Sequence, residues 1–186
     1  MLFRLSTPRG QITIREATTE DAGQLLALRL ESLINHPKAF AADVAQTTSD
    51  GVKAFVDRIT EYKEAHIGTI IIALAAAELI GMTGIACGHW PKMRHGGGLW
   101  GVYVSPDWRG FRIGEGMIEG CIEWGKQYHL SVVYLSVTLS EIPAIRCYTR
   151  CGFREYGIEP RTFFVDGHYY AQVLMYKLID DGNISE

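Results

Sequence analysis

One stretch of the chain constrains the fold more than any other. A β-branched and aromatic run at 102–104 ends at Ser-Pro-Asp, a short basic turn containing glycine follows, and an amphipathic segment occupies 115–129. A strand, a turn and a helix in this order leave backbone N–H groups at the helix N-terminus to bind an anion. Arg109 and Arg112 add two positive charges. The stretch predicts a phosphate or pyrophosphate site; the alternative is an ordinary connection with two solvated arginines.

Composition narrows the class of protein. The 186 residues carry a formal net charge of -3, which gives no basic field for nucleic acid. The length suits one domain over 1–186. The longest apolar run, 70–77, is too short to cross a bilayer, and the N-terminus lacks a signal-peptide core. No C-x-x-C motif occurs, so we expect reduced thiols in a cytoplasmic protein and no metal site; the cysteines are Cys87, Cys121, Cys147 and Cys151.

The N-terminal half alternates between helical and strand patterns. Residues 1–10 are expected to form a loose lead-in. A capping box at 18–21 starts the first helix. The predicted elements are a strand at 12–15, helices at 19–34 and 51–62, and a hairpin of strands at 69–74 and 79–86. Three consecutive glycines at 96–98 predict a mobile loop over 89–98.

The C-terminal half adds the elements that complete the sheet. After the helix at 115–129 we expect a strand at 132–137, a helix from 142 to Gly152, and strands at 161–165 and 168–178 joined by an Asp-Gly turn. The order is β-α-α-β-β-β-α-β-α-β-β. Hairpins and helical crossovers both occur, so the fold class is α/β with a mixed central sheet flanked by helices.

Two blocks of the chain resemble the acetyl-CoA-binding core of the GNAT (GCN5-related) N-acetyltransferases. The first reads Val-Tyr-Val-x-Pro-x-x-Arg-Gly-x-x-Ile-Gly at 102–114, and the second reads Pro-Ala-Ile-Arg-Cys-Tyr-Thr-Arg-Cys-Gly-Phe at 143–153. One helix and one strand separate the blocks, as in the family. The resemblance implies a GNAT-like single domain that moves an acetyl group from acetyl-CoA to a primary amine of a small molecule or a protein.

The resemblance also implies a cofactor site. In the family the strand before the turn lies along the pantetheine arm, and the turn holds the pyrophosphate. The implied residues are Val102, Tyr103, Val104, Arg109, Gly110, Phe111, Arg112, Ile113, Gly114 and Tyr148. Arg112 stands where the family usually has glycine, so we expect it to keep a negative φ and still donate its N–H. Glu141 replaces a frequent Asn, and its carboxylate also suits a helix N-terminus.

The implied reaction needs an acid, an oxyanion donor and a base. Tyr148 matches the family tyrosine near the CoA sulfur and is the expected general acid; the alternative is a core tyrosine. A backbone N–H near Tyr103 or Val104 is the implied oxyanion donor. The base stays open among water and three side chains: His95, Glu31 and His89. Candidates for an apolar acceptor pocket, with core packing as the alternative, are Trp90, Trp100, Phe40 and Tyr169.

Two further expectations remain. A non-catalytic acyl-CoA-binding or sensing module with the same fold is the competing function, because Arg112 and Glu141 depart from the family pattern. The resemblance also implies a homodimer, since terminal strands of this fold commonly meet a partner subunit.

Overall fold

The computed structural model describes residues 2–180. The strands are β1 (Leu2–Thr7), β2 (Gly10–Glu16), β3 (Gly68–Ala75), β4 (Glu78–Cys87), β5 (Gly96–Val104), β6 (Val132–Thr138), β7 (Arg154–Val165) and β8 (His168–Leu178). The helices are α1 (Ala22–Asn35), α2 (Val44–Ala65), α3 (Ile113–Gln127) and α4 (Ile142–Arg150). The strands form one mixed sheet in the order β1-β2-β3-β4-β5-β6-β8-β7. The mixed α/β class is confirmed.

The sheet opens between β5 and β6. These two strands are parallel and pair only where 96–98 faces 132–134. β6 then pairs with β8 along its whole length, while β5 continues beside β4. Beyond Gly98, therefore, one edge of β5 has no neighbouring strand, and a cleft enters the sheet there.

Helices cover both faces of the sheet. Ile71 and Ala73 face one cluster with α3, while Ile70 and Ile72 face the other with α1 and α2. This alternation follows from the two-residue period of a strand, and the apolar run of β3 is buried on both sides for that reason. Burying each large aliphatic side chain stabilises the fold by about 1.5–3 kcal/mol.

The expected loose lead-in at the N-terminus is wrong. Residues 2–7 form β1, which pairs antiparallel with β2 from Leu2↔Arg15 to Thr7↔Gly10. Phe3 and Leu5 pack against the α3-side cluster, so burial of alternate side chains holds the strand. The Pro and Gly that suggested a loop form the turn of this hairpin.

The glycine run is also ordered, contrary to the expected mobile loop. Gly96–Gly98 begin β5 and pair with both β4 and β6. A Cβ on Gly97 would lie 2.7 Å from Leu130 Cδ1 and 2.9 Å from Ile85 Cδ1. The missing side chain lets β5 lie against its neighbours, and here glycine serves packing rather than mobility.

Two further elements are longer than predicted. The helix expected at 51–62 extends back to Val44, where the Asp43 side chain accepts a hydrogen bond from the Gln46 N–H, and it is kinked at Gly51 with a φ of 63°. β7 begins at Arg154 rather than at 161.

Candidate active site

The cleft between β5 and β6 leads into two adjoining cavities of about 580 and 280 Å³. Both cavities are lined by Phe40, Trp100 and Gly101. The smaller cavity reaches Tyr148 of α4, and the larger one extends under α1 and α2. A molecule that enters the cleft therefore has room on each side of β5.

A β-bulge shapes the β5 side of the cleft. Two residues, Gly101 and Val102, stand opposite the single residue Thr83, because Met82 pairs with Tyr103 and Gly84 with Trp100. Gly101 takes a φ of 65°, and the Thr83 hydroxyl donates to the Trp100 carbonyl at 3.1 Å. Bulges re-aim neighbouring side chains, and this one lies where both cavities meet.

The turn after β5 has two residues in the left-handed region. Gly110 has a φ of 85°, and Arg112, the N-cap of α3, has a φ of 61° and a ψ of 19°. The expectation of a negative φ for Arg112 is therefore wrong. An arginine here takes the conformation that glycine adopts without strain. The N–H groups of the first turn of α3 have no earlier helical carbonyl to donate to, which is what anion binding requires.

The arginine side chains of this region are held by protein groups. Arg112 Nε lies 2.6 Å from Glu115 Oε2, and Arg150 Nε lies 2.6 Å from Glu115 Oε1. Although burial opposes the effect, these two hydrogen bonds lower the pKa of Glu115. Arg112 is therefore a partner of Glu115 as well as a positive charge at the turn.

Arg109 folds back from the turn onto β5. Its Nε donates to the Val104 carbonyl at 3.0 Å, and its guanidinium lies 5.5 Å from the centroid of the Tyr103 ring. Its Nη2 is 3.0 Å from His36 Nε2. A guanidinium only donates, so His36 Nε2 accepts in this contact. Arg109 thus lines the smaller cavity beside the strand.

Tyr148 lies in the smaller cavity opposite the β5 edge. It shares that lining with Val102, Val104 and Ala144, and its ring meets Phe153 edge-on with centroids 6.1 Å apart. Burial raises the pKa of Tyr148 well above its ordinary value. The phenol keeps its proton at neutral pH and is available as a donor.

Of the expected bases, Glu31 lies nearest to the cavities. Tyr103 lines the smaller cavity, and its hydroxyl donates to Glu31 Oε1 at 2.8 Å. Burial raises the pKa of Tyr103, so this hydroxyl keeps its proton. His95 and His89 are exposed, and among the described residues neither belongs to the lining of the two cavities.

The four aromatic candidates divide into two pairs. Phe40 and Trp100 line both cavities. Trp90 is 66% exposed and stacks edge-on against His89, while Tyr169 is 60% exposed at the β7–β8 hairpin. Only the first pair can contact a molecule bound in the cleft.

Sequence reasoning missed three basic residues of the cavities. His36, Arg29 and Arg58 all line the cavities, His36 the smaller and the two arginines the larger. His36 follows α1 in an irregular segment with no periodic pattern. In the sequence, Arg29 and Arg58 occupy polar positions of two separate helices. Only the packing of α1 on α2 brings the two side chains together.

Comparison with known proteins decides the family. The chain matches the acetyltransferase (GNAT) family over residues 36–153, more than half of its length. The chain belongs to the GNAT acetyltransferase family. The sequence resemblance is thereby confirmed, and both motif blocks lie within the matched region.

Solved structures share the fold of this GNAT family member. A GNAT acetyltransferase of Streptococcus pneumoniae is 24% identical with a TM-score of 0.78, over 91% of this chain and 99% of that one. The Salmonella typhimurium protein yncA, solved with its cofactor acetyl-CoA, is 15% identical with a TM-score of 0.83, over 94% and 98%. A Sinorhizobium meliloti phosphinothricin acetyltransferase in complex with AcCoA is 16% identical with a TM-score of 0.81, over 94% and 92%. No match is found among curated proteins.

Two further findings concern the rest of the described chain. All four cysteines are unpaired thiols. Between residues 2 and 180, no helix combines the length and the apolar character needed to span a membrane.

Proposed function

We propose that this protein is an acetyl-CoA-dependent N-acetyltransferase that acts on a primary amine. The observation that carries the proposal is the free edge of β5, which leads directly into a left-handed turn at the N-terminus of α3 with Tyr148 beside it. A peptide-like arm pairs with a strand edge, and a pyrophosphate suits a helix N-terminus.

The residues present fit acetyl-CoA. The edge at Val102, Tyr103 and Val104 offers backbone groups to the pantetheine arm, and the turn offers the N–H groups between Gly110 and Gly114 to the pyrophosphate. Acetyl-CoA supplies the thioester whose acetyl group is transferred. The two similar folds solved with acetyl-CoA support this assignment, while the residue roles rest on the geometry described above.

The two proposed proton-transfer tyrosines belong to the hydrophobic clusters on opposite faces of the sheet. Tyr148 belongs to the α3-side cluster, whereas Tyr103 belongs to the cluster under α1 and α2. The body of the amine lies in the larger cavity on the α1–α2 face, and its nitrogen reaches the smaller cavity, which Tyr103 and Tyr148 both line. As its nitrogen bonds to the acetyl carbon, its proton passes to the Tyr103 oxygen and the Tyr103 proton passes to Glu31. Tyr148 gives its proton to the sulfur as the carbon–sulfur bond breaks.

The test of this function follows free thiol released from acetyl-CoA in the presence of a panel of amines. Tyr148→Phe is expected to lower kcat about 10²–10⁴-fold, the usual contribution of a positioned acid. Acetyl-CoA affinity should stay unchanged, since the ring remains. Tyr156→Phe on exposed β7 is the matched control. Full turnover by Tyr148→Phe would remove the acid role.

A specific observation supports the second candidate, a non-catalytic acyl-CoA-binding module. Glu115 engages both Arg112 and Arg150, which diverts two arginines from a phosphate ligand. Acetyl-CoA binding without thiol release on any amine would favour that function.

Location and assembly remain proposals. A cytoplasmic protein agrees with four unpaired thiols. β7 lies at the edge of the sheet and exposes Tyr156, Ile158 and Phe164, which suits a second copy of the chain. Sedimentation equilibrium of the wild type and of Ile158→Lys tests the dimer.

A further inference from the structure

Two arginines in the larger cavity have no carboxylate partner. Arg29 comes from α1 and Arg58 from α2, and neither forms an ion pair with any described residue. Each guanidinium instead lies over an aromatic ring, Arg29 at 4.6 Å from the Phe40 centroid and Arg58 at 5.2 Å from that of Trp100. The cavity wall also carries Asp50, whose carboxylate accepts from Gln46 Nε2 at 2.6 Å.

Arg29 is the more unusual of the two. Its Nη1 is buried and has no hydrogen-bond partner among the described residues. Burial, with the nearby charge of Arg58, lowers the pKa of Arg29 to about 10, so it stays cationic at neutral pH. A buried charged donor left unsatisfied is destabilising, and its presence calls for a specific reason such as a bound water, ion or ligand.

The position of Arg29 ties it to the reaction centre. Its Nη1 lies 3.8 Å from the point where a Cβ on Gly101 would stand. Gly101 is the bulge residue that both cavities share. An anion held by Arg29 is therefore beside the bulge at which the two cavities meet.

The remainder of the larger cavity is mostly apolar. Its wall includes three phenylalanines and four alanines, namely Phe40, Phe55, Phe163, Ala39, Ala41, Ala42 and Ala54. A cavity of about 580 Å³ is within the usual range for small-molecule sites. It suits a small molecule with one anionic group and an apolar body.

We propose that the larger cavity binds an amine that also carries a carboxylate and an apolar side chain, such as an apolar α-amino acid, and that Arg29 and Arg58 bind its carboxylate. The inference rests on the proposed function, since it names the acceptor for the same reaction. Arginine suits this role because its planar donors match the two oxygens of a carboxylate. Asp50 of α2, which also lines this cavity, repels a second carboxylate and favours a monocarboxylate.

The test uses pairs of amines that differ only in the carboxylate: leucine against 3-methylbutylamine, and phenylalanine against 2-phenylethylamine. Thiol release gives kcat/KM, calculated with the concentration of the unprotonated amine. Calorimetry on the protein with CoA present gives the Kd of each amine. We expect the amino acid to be favoured at least tenfold in both measurements. An equal or better decarboxylated amine, or turnover only with a carboxyl-amidated peptide, would overturn the proposal.

Variants show whether the arginines cause the preference. Arg29→Gln and the exposed Arg58→Gln are each expected to weaken leucine binding at least tenfold and to change 3-methylbutylamine binding less than twofold. Arg29→Lys should restore part of the preference. Arg154→Gln, an exposed arginine on β7, is the control. Equal losses for both ligands would indicate a merely structural role; should Arg29→Gln not fold, Arg58→Gln decides.

The calorimetry separates this inference from the proposed function. If leucine binds in an arginine-dependent manner but no thiol is released, the transferase function fails and the carboxylate site stands. If thiol is released only with amines that lack a carboxylate, the transferase function stands and the carboxylate site fails.

Discussion

The left-handed conformation of Arg112 gives the sharpest test of the turn before α3. A side chain with a Cβ costs about 1–2 kcal/mol in this region. Glycine avoids that strain but loses more backbone entropy on folding, by about 0.4–1 kcal/mol. Arg112→Gly should therefore be more stable than Arg112→Ala by about 0.5–1 kcal/mol. Both variants lose the same exposed pair with Glu115, so its contribution cancels in the comparison.

Urea unfolding followed by circular dichroism measures this difference. The control is Glu119, an exposed position inside α3, where Glu119→Gly should be less stable than Glu119→Ala by about 1 kcal/mol. The sign of the alanine–glycine difference thus reverses between positions 112 and 119. The reasoning is refuted if alanine is the more stable residue at both positions.

The same variant reports on the cofactor site. Arg112→Gly retains the N–H of the turn in the same backbone conformation, so acetyl-CoA affinity should change by less than about threefold, roughly 0.7 kcal/mol. Far tighter binding by Arg112→Gly would show that the native turn suits the cofactor poorly.

Three more outcomes follow from contacts in and around the site. Glu31→Gln should lower kcat/KM about 10²–10⁴-fold, and Tyr103→Phe should lower kcat/KM by a similar factor, whereas the control Glu20→Gln at an exposed position should leave kcat/KM unchanged. Unchanged steady-state kinetics for Glu31→Gln would show that Glu31 is not the base. Gly97→Ala should destabilise the fold by about 1–3 kcal/mol because the added Cβ overlaps Leu130 and Ile85. Gly98→Ala should be tolerated, since the atom nearest to its added Cβ is 3.9 Å away. Equal urea-unfolding midpoints for the two variants would contradict the packing argument. Arg29→Met should raise the unfolding free energy by about 1 kcal/mol or more while abolishing the carboxylate preference, and a lower melting temperature would show that the buried cation is already satisfied.

Much of the fold is encoded in local patterns. The amphipathic period of α3, the Asp-Gly turn between β7 and β8, and the two motif blocks each depend on residues close in sequence. The family match confirms the family membership that those blocks indicate. The assignment of individual cofactor and catalytic residues stays a prediction until the variants above are measured.

The errors share a different physical cause. Ser6, Pro8 and Gly10 suggested a loop, but β1 is held by burial of Phe3 and Leu5 against a distant helix. The glycines at 96–98 suggested mobility, although the close approach of Leu130 and Ile85 explains the need for glycine at 97. Local propensity cannot report such contacts, because tertiary packing overrides it.

The site was predictable only in part for the same reason. Glu31, Trp100 and Phe40 were among the expected residues, whereas Arg29 and His36 enter the cavities through the packing of α1. The separation of β5 from β6 depends on the register of three residue pairs, 96–98 with 132–134. No short-range pattern encodes that register, yet it creates the cleft.

In the proposed reaction, the β5 edge and the α3 turn present acetyl-CoA to an amine in the adjoining cavity. The most direct test of this reaction incubates the protein with acetyl-CoA and leucine and measures both free thiol and acetylated product by mass spectrometry. We expect equal amounts of thiol and acetylated product, which Tyr148→Phe abolishes and Tyr156→Phe retains. Acetyl-CoA binding with no acetylated product from leucine or any other amine would contradict the proposed reaction.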